Sequence, residues 1–535
     1  MRAFAELCEA IAATPSKTEK VAKVAAFLAR LDPDAAALSA IFLSGRLVPR
    51  HDSRPSGVGF SLVIQAVVAI CGEEGVATAL RRHGDLGGMA EELLEGRAGE
   101  DVPMAELSGV FEALVRDRTA AGKVRILRDF LARLRPVEAK YAVKVLVGDL
   151  RIGLQESLVE EAIARAFGAR AEDVQRANML TSDLGQTVRL ARDGRLARAR
   201  LRLFHPVSFM LASPAESAAD ALEAVGGDAL VEDKFDGIRA QAHVGGGRAM
   251  LFSRNLEEAS EFPELLEPLR ALAGEAVLDG EIVGVVGERS LPFTAFQRRL
   301  GRRQKELFIA DEIPVRFWVF DLLYQDGEML LDLPLLERRG RLSALVLGAD
   351  AALLRSVGMD RVGDAPSAEA AFEAALARGN EGIMLKDPRS PYRPGRRGRA
   401  WMKLKRPLAT LDVVVTGVEY GHGKRAGVLS DYTFSVRDEG GLKTLGKAFT
   451  GLTDKEIAEL TPVFLEATLE ERGGLRRVRP EIVLEVAFNN IQPSKRHESG
   501  YALRFPRIVR LRPDKAVSEI DTLERVVEIY RQGLR

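Results

Sequence analysis

Ala229-Leu230-Val231-Glu232-Asp233-Lys234-Phe235-Asp236-Gly237, with RAQAHV (239–244) and RAMLF (248–252) on either side of Gly245-Gly246-Gly247, is the stretch that decides the fold. Its apolar runs are short and alternate, and glycines separate them, as in strands joined by tight turns. The three glycines suit a β-hairpin, because the favoured two-residue hairpin turns need positive φ. The first run ends on Lys234 just before a turn, which projects the amine at a strand end. A lysine ammonium, ordinarily near pKa ~10.4, must lose its proton to act as a nucleophile, and nearby cations or desolvation make that easier. A charged surface turn is the plain alternative for the same residues.

Downstream, AVLDGEIVGVV (276–286), VRFWVFDLLY (315–324) and GIMLK (382–386) read as further strands, and SAEAAFEAALARG (367–379) as a helix. The middle of the chain is therefore expected to be an α+β domain with antiparallel sheet. After Lys405, LDVVVTGVEY (411–420), SDYTFSVRD (430–438) and EIVLEVAFNN (481–490) give short strands with glycine-rich turns such as GHGKRAG. That pattern suits a small β-barrel of the oligonucleotide-binding kind. Upstream, residues 1 to about 205 read as helical. Ser16 and Glu19 have capping-box spacing, and Val21, Val24, Phe27, Leu28 and Leu31 follow at helical intervals. YAVKVLVGDLRIGLQESLVEEAIARAFG (141–168) reads as two helices joined across Gly148 to Gly153, with Ser157 as the cap of the second. No internal repeat is evident at periods of about 20–50 residues.

A chain of 535 residues is expected to hold about three or four domains. No run of about 18 uninterrupted apolar residues predicts a membrane span, and MRAFAELCEA reads as the start of a helix, not as a signal peptide. The only cysteines, Cys8 and Cys71, exclude a four-cysteine zinc site within this sequence and fit a reducing cytoplasm; both read as small buried hydrophobes. The 77 basic and 77 acidic side chains cancel, which at first argues against a nucleic-acid partner. Their distribution argues the other way. Arg189, Arg192, Arg195, Arg198, Arg200 and Arg202 are opposed locally only by Asp193. Arg393, Arg396, Arg397, Arg399, Lys403, Lys405 and Arg406 run without an acid, and Arg298, Arg299, Arg302, Arg303 and Lys305 form a third group. Such clusters suit phosphates, or else a solvated basic face.

Motifs that carry chemistry stand in order after Lys234. Ser253-Arg254-Asn255 places an arginine beyond the hairpin, and Leu278-Asp279-Gly280-Glu281 sets a carboxylate at a strand turn. Phe317 to Asp321 brings Phe320 onto a strand as an aromatic able to stack on a purine. Glu381-Gly382-Ile383-Met384-Leu385-Lys386 adds an acid and a second lysine, and in Trp401-Met402-Lys403-Leu404-Lys405 alternation puts Lys403 and Lys405 on one strand face.

In that order and spacing the chain resembles the covalent nucleotidyltransferase superfamily, and within it the ATP-dependent DNA ligases, including Tyr392-Arg393-Pro394-Gly395 before Trp401. Arg504-Phe505-Pro506-Arg507 through Arg510, Arg512, Asp514 and Lys515 resembles the family's C-terminal motif, and KVLVGDLRIGL (144–154) resembles the helical DNA-binding domain of the archaeal and eukaryotic replicative type. The resemblance covers nearly all the chain. It implies an all-α DNA-binding domain at 1–205, an α+β nucleotidyltransferase (adenylation) domain at 206–408 and an OB-fold domain at 409–535.

The resemblance also implies roles. Lys234 would take AMP from ATP as a phosphoramidate, and Glu232 would face the adenine amine. Arg239 and Arg254 would meet ribose and phosphate, and Phe320 would stack on the base. Glu281 would serve the ribose or a metal, Glu381 would help hold Mg²⁺, and Arg397, Lys403 and Lys405 would offset charge on the α-phosphate. Arg510, Arg512 and Lys515 would meet the β and γ phosphates, with a hinge near Lys405 to Leu411. The implied partner is nicked duplex DNA, sealed by a monomer through a lysyl-AMP and then a DNA-adenylate. Two features depart from the family: Val207 to Ala212 lacks the proline that many relatives carry before the methionine, and Arg406-Pro407 replaces an acidic-aromatic pair. An RNA ligase or a capping guanylyltransferase uses the same lysine logic, although Glu232 favours adenine over guanine. The cysteine count disfavours an NAD-dependent ligase, and a silent DNA clamp would need no such constellation.

Overall fold

Two sheets carry the middle of the chain, in the computed structural model that describes residues 1–532 other than 53, 288, 292, 297, 298, 300–312, 407, 422–424 and 426. The strands are β1 (Leu211–Pro214), β2 (Ala229–Lys234), β3 (Ile238–Gly245), β4 (Arg248–Ser253), β5 (Ala276–Val286), β6 (Arg289–Ser290), β7 (Val315–Gln325), β8 (Glu328–Met329), β9 (Leu354–Ser356), β10 (Met359–Val362), β11 (Gly382–Lys386) and β12 (Arg397–Lys405). One sheet has the order β1-β12-β11-β2-β10; the other runs β4-β3-β5-β7-β8, with β6 on β5 and β9 on β7. The hairpin at Gly245 to Gly247 forms, with Gly246 and Gly247 at φ 58° and 73°. The expectation of antiparallel sheets needs correction: β1 pairs parallel with β12, and β9 parallel with β7. Each of those pairs joins strands far apart in sequence, so no local turn signal announces it.

Alternation then decides what each face carries. In the first sheet Ala229, Val231, Ile383, Leu385, Met402 and Leu404 share a core with the helices Ala218–Ala224 and Ala365–Ala377. The opposite parity turns Glu232, Lys234, Met384, Lys386, Trp401 and Lys403 to the other face. In the second sheet Ala240, Ala242, Val244, Leu278, Ile282, Phe317 and Val319 fill a second core. Arg239, Gln241 and His243 then form a polar stripe on β3. It pins the segment leading into the sheets: Phe204 N donates to His243 Nδ1 at 2.9 Å, Val207 N to Gln241 Oε1 at 2.9 Å, and Arg239 Nη1 to the Met210 carbonyl at 2.7 Å.

Residues before 205 are helical, from α1 (Arg2–Ala12), α2 (Lys17–Arg30) and α3 (Pro33–Leu43) through α4 (Phe60–Cys71), α5 (Val76–His83), α6 (Leu86–Leu93), α7 (Glu106–Arg116), α8 (Ala120–Leu131), α9 (Pro136–Leu146), α10 (Glu156–Phe167), α11 (Ala171–Thr181) and α12 (Leu184–Arg192). Ser16 caps α2 by accepting from Glu19 N at 3.3 Å, but the Glu19 carboxylate turns to Thr14, so only half of the capping box forms. Gln155, not Ser157, is the N-cap of α10, which takes Ser157 into its first turn. Cys8 is buried as expected, whereas Cys71 is exposed. Ala177 and Leu180 of α11 share a core with Val277, Leu323, Tyr392 and Trp401, so the last helices pack directly on the sheets. Met1–Lys405 forms one unit and Arg406–Arg535 another.

The second unit is an antiparallel half-barrel of the OB kind. Its strands are β13 (Thr410–Tyr420), β14 (Leu429–Asp438), β15 (Gly441–Ala448), β16 (Thr468–Arg472), β17 (Leu475–Val478), β18 (Val483–Ala487), β19 (Asn490–Pro493), β20 (Tyr501–Arg504) and β21 (Arg507–Leu511). Val413, Val415, Phe434, Val436 and Leu484 form its core with Ile457, Leu460 and Phe464 of the helix Asp454–Glu466. Among the described residues no helix is long and apolar enough to cross a membrane.

Candidate active site

A cleft of about 220 Å³ opens between the two sheets, and it is lined by Glu232, Lys234, Arg239, Arg254, Glu281, Phe320, Arg397 and Lys403, together with Phe235, Lys386 and Trp401. Eight residues singled out in the sequence thus converge from five strands and the turn after β4. Lys234 ends β2, and its Nζ donates to a Glu381 carboxylate oxygen. The nearest charge to this amine is therefore an acid, with cations farther off. Gly237 lets the turn after Lys234 close onto β5: a Cβ there would lie 2.3 Å from the Ile282 carbonyl oxygen and 3.0 Å from Glu281 Cγ.

Three acids surround the amine. Burial, and then the Glu381 carboxylate, push Asp236 up to about 6, while Lys234 pulls the other way. Burial pushes Glu281 up to about 7 against the attraction of Lys234 and Arg239. Burial outweighs the nearby cations for both acids, and added positive charge would favour their ionised forms. Among the described residues no group of three or more His, Cys, Asp or Glu side chains is arranged to hold a metal by itself. Mg²⁺ typically takes one or two carboxylates and completes its shell with water and substrate phosphates, so Glu281 and Glu381 fit that donor chemistry.

The cationic wall comes from β12. Burial, followed by Lys234, Lys405 and Arg397, holds the Lys403 ammonium below its ordinary value. Lys405, two residues on, is exposed and does not line the cleft, and Arg397 is exposed at the strand's start. Arg254 is also exposed at the cleft edge. The aromatic floor is Phe320 edge-on to Trp401 at 6.2 Å, with Lys386 Nζ 4.4 Å and 4.3 Å from the two ring centroids.

Several residues that shape the cleft received no role in the sequence. Lys386 is buried and donates to Glu232, with Arg339 Nε 3.7 Å from the same carboxylate. One Glu232 oxygen, buried, has no hydrogen-bond partner. Asp279 is fully buried and grips Arg239 through Nε at 3.1 Å and Nη2 at 2.7 Å. Period-two spacing from Glu281 was the available signal for Asp279, since both fall on one face of β5.

The C-terminal cations lie in the second unit and are engaged there. Arg510 pairs with Glu485 at 2.7 Å, Arg512 with Asp412 at 2.8 Å and Asp514 at 2.7 Å, and Lys515 with Asp412 at 2.5 Å. Arg512 holds Asp514 down to about 2. The basic run at 189–202 is partly consumed as well: Arg189 pairs with Asp34 at 2.7 Å, and Arg192 donates to the Leu31 carbonyl at 2.7 Å. Arg298, Arg302, Arg303 and Lys305 of the third run, and Pro407, lie outside the described residues; Arg299 is buried and paired with Glu264.

Comparison with known proteins gives a family match in each part of the chain. Sequence models of the DNA ligase N terminus, the ATP-dependent DNA ligase domain and the ATP-dependent DNA ligase C-terminal region match residues 1–164, 209–405 and 425–515. A probable DNA ligase of Koribacter versatilis is 48% identical over 99% of this chain and 96% of its own length. DNA ligases of Methanothrix thermoacetophila and Archaeoglobus fulgidus are 40% and 36% identical, each over 99% of this chain and 98% of the relative. The solved structure Pmar-Lig_PreS3 shares the fold at TM-score 0.63 and 17% identity, covering 95% of this chain and 99% of that one.

Proposed function

The chain belongs to the ATP-dependent DNA ligases, enzymes that seal nicks in duplex DNA with ATP and Mg²⁺, and from that premise we propose that Lys234 carries the nucleotide. The observation that supports this reading is the convergence on one cleft of Lys234, three neighbouring acids, the β12 cations and the Phe320 ring.

The chemistry is three phosphoryl transfers. Lys234 Nζ, having given up a proton, forms a bond to the α-phosphorus of ATP as the bond to pyrophosphate breaks. The 5′-phosphate at a nick then displaces Lys234 from phosphorus, the amine regains a proton, and the nucleotide passes to DNA. The 3′-hydroxyl attacks that 5′-phosphorus, loses its proton and expels AMP. Glu281 and Glu381 would hold Mg²⁺ together with substrate phosphates, and the ion would offset charge on the phosphoryl oxygens.

The protein's own groups do the rest. Glu232 lines the cleft with a carboxylate whose Oε1 makes no hydrogen bond, and it is assigned to the adenine amine, a donor that needs an acceptor at that edge. Phe320 offers a ring face to the base, Arg239 and Arg254 meet ribose and phosphate, and Lys403 with Arg397 offsets charge as the α-phosphorus becomes pentavalent. Lys405 is a weaker candidate for that task because it faces solvent. Arg510, Arg512 and Lys515 are assigned to pyrophosphate in the first transfer, for which each must exchange its present acid partner for a phosphate. We read the three domains as 1–205, 206–408 and 409–535, and the enzyme as a monomer acting in a reducing cytoplasm, consistent with its two cysteines.

Incubation with α-labelled ATP tests the assignment. Label should accumulate on the protein and be removed by pyrophosphate. Lys234→Ala should abolish labelling and sealing from ATP while leaving nick binding nearly intact; label retained by that variant would reject Lys234.

A further inference from the structure

Tyr392 closes a ring of buried polar groups behind the cleft. Its hydroxyl donates to Asp279 Oδ2 at 2.7 Å and accepts the Met210 amide at 3.0 Å. Asp279 in turn holds Arg239 through two hydrogen bonds, and Arg239 Nη1 returns to the Met210 carbonyl at 2.7 Å. Tyr392 is 1% exposed and Asp279 0%, so no solvent can replace a lost partner. Burial and the Asp279 carboxylate hold the phenol well above its ordinary value, which keeps it a donor. Tyr392 also begins the segment that carries Arg393, Arg396, Arg397 and Arg399, and its ring stands edge-on to Trp401 at 5.7 Å.

The register explains why a third residue is needed. Arg239 stands opposite Glu281 on β5, and Asp279 is the diagonal neighbour two residues along. Two acids therefore compete for one guanidinium on the same face. The Tyr392 hydroxyl biases that choice by orienting Asp279 and leaves Glu281 free at the cleft.

We propose that Tyr392 is a positioning residue for nucleotidyl transfer, acting through Asp279 to hold the Arg239 guanidinium in the nucleotide cleft. The inference rests on the reading of Arg239 as a contact to the nucleotide. A ring that only filled space would do as well without its oxygen, and Tyr392→Phe separates the two roles.

Single-turnover transfer of label from ATP to the full-length protein gives an amplitude, which counts folded enzyme, and a rate constant, which reports the folded enzyme's geometry. In Tyr392→Phe the rate constant should fall about tenfold or more, in line with the roughly 100-fold cost of ~1 Å misplacement, whatever the amplitude. Asp279→Asn should reproduce the slow rate. In an Arg239→Lys background, Tyr392→Phe should add less than about twofold, since both changes act on one contact. A slow Arg239→Lys beside a Tyr392→Phe rate within about twofold of the unaltered enzyme overturns the proposal, and so do fully multiplicative effects. If Arg239→Lys is itself unimpaired, the reading of Arg239 beneath the proposal is what fails.

Discussion

Lys386 is buried against Glu232 as its diagonal neighbour across β11 and β2, because Met384 stands opposite Glu232 and Lys386 opposite Leu230. Lys386 Nζ lies against the Phe320 and Trp401 rings, and both side chains are almost wholly buried in the cleft wall. Burial lowers the Lys386 ammonium while Glu232 pulls it back, so each charge is held by the other.

Removing one partner should therefore cost more than removing both. Lys386→Met leaves a buried carboxylate with only Arg339 at 3.7 Å, and should lose about 3–5 kcal/mol, nearer the lower end because of that arginine. Glu232→Gln with Lys386→Met should recover part of the loss. Denaturant unfolding of the three variants measures this, and a double variant worse than Lys386→Met alone would contradict it.

Gly237→Ala tests the turn after Lys234. The new Cβ would meet the Ile282 carbonyl at 2.3 Å, a backbone atom that cannot swing aside. The turn must move and take Lys234 with it. Single-turnover labelling should slow by about 100-fold for a shift near ~1 Å, while overpacking costs about 1–3 kcal/mol of stability. An unchanged rate constant would show that the amine's position does not depend on this approach.

Much of this site was legible because strand parity is a strong signal. Within each strand the face follows from spacing. Val231 and Leu404 turn to one apolar core and leave Lys234 and Lys403 on the opposite face of the first sheet. Ile282 and Val319 turn to another and leave Glu281 and Phe320 on the opposite face of the second. Pairing between distant strands was not legible: the parallel β1–β12 and β9–β7 contacts have no turn to mark them. Buried charge was also misjudged. Arg299, read as part of a phosphate-binding run, is paired with Glu264, and Asp279 and Lys386 look like ordinary surface charges until their partners are seen across a strand. Ser157 had a cap's chemistry two residues too late, since Gln155 is the N-cap and Glu156 is already helical.

The raised acids set a pH dependence of stability in metal-free buffer. Glu281 reaches about 7 and Asp236 about 6, both above the ordinary range of ~3.9–4.3 that they would have unfolded. Below about pH 4 both states bind these protons and no cost arises. As pH rises through that range the unfolded chain ionises first, so the folded state loses stability until about pH 7 and stays level above. Glu281→Gln should flatten the slope between about pH 4 and 7, and added Mg²⁺ should reduce it by favouring the ionised acids. Thermal midpoints across pH read both; a midpoint that rises over this window in the unaltered protein, but not in Glu281→Gln, would reverse the sign assigned here.

Arg393 and Arg399 flank the nucleotide cleft without lining it, are exposed, and have no acid partner among the described residues, unlike Arg510 or Arg512. Their charge is available to the phosphates of a nicked duplex. Replacing both by glutamine should weaken nick binding and reduce the slope of log K against log salt by about 2, roughly one per lost phosphate contact. Protein labelling by ATP should stay within about twofold, because Lys234, Glu381 and Lys403 are untouched. Fluorescence titrations of a nicked duplex at several salt concentrations separate the outcomes. Weaker binding at an unchanged slope would mean that these arginines shape the segment after Tyr392 and do not meet phosphate, because lost counterion release is the one effect that removing a phosphate contact must leave behind.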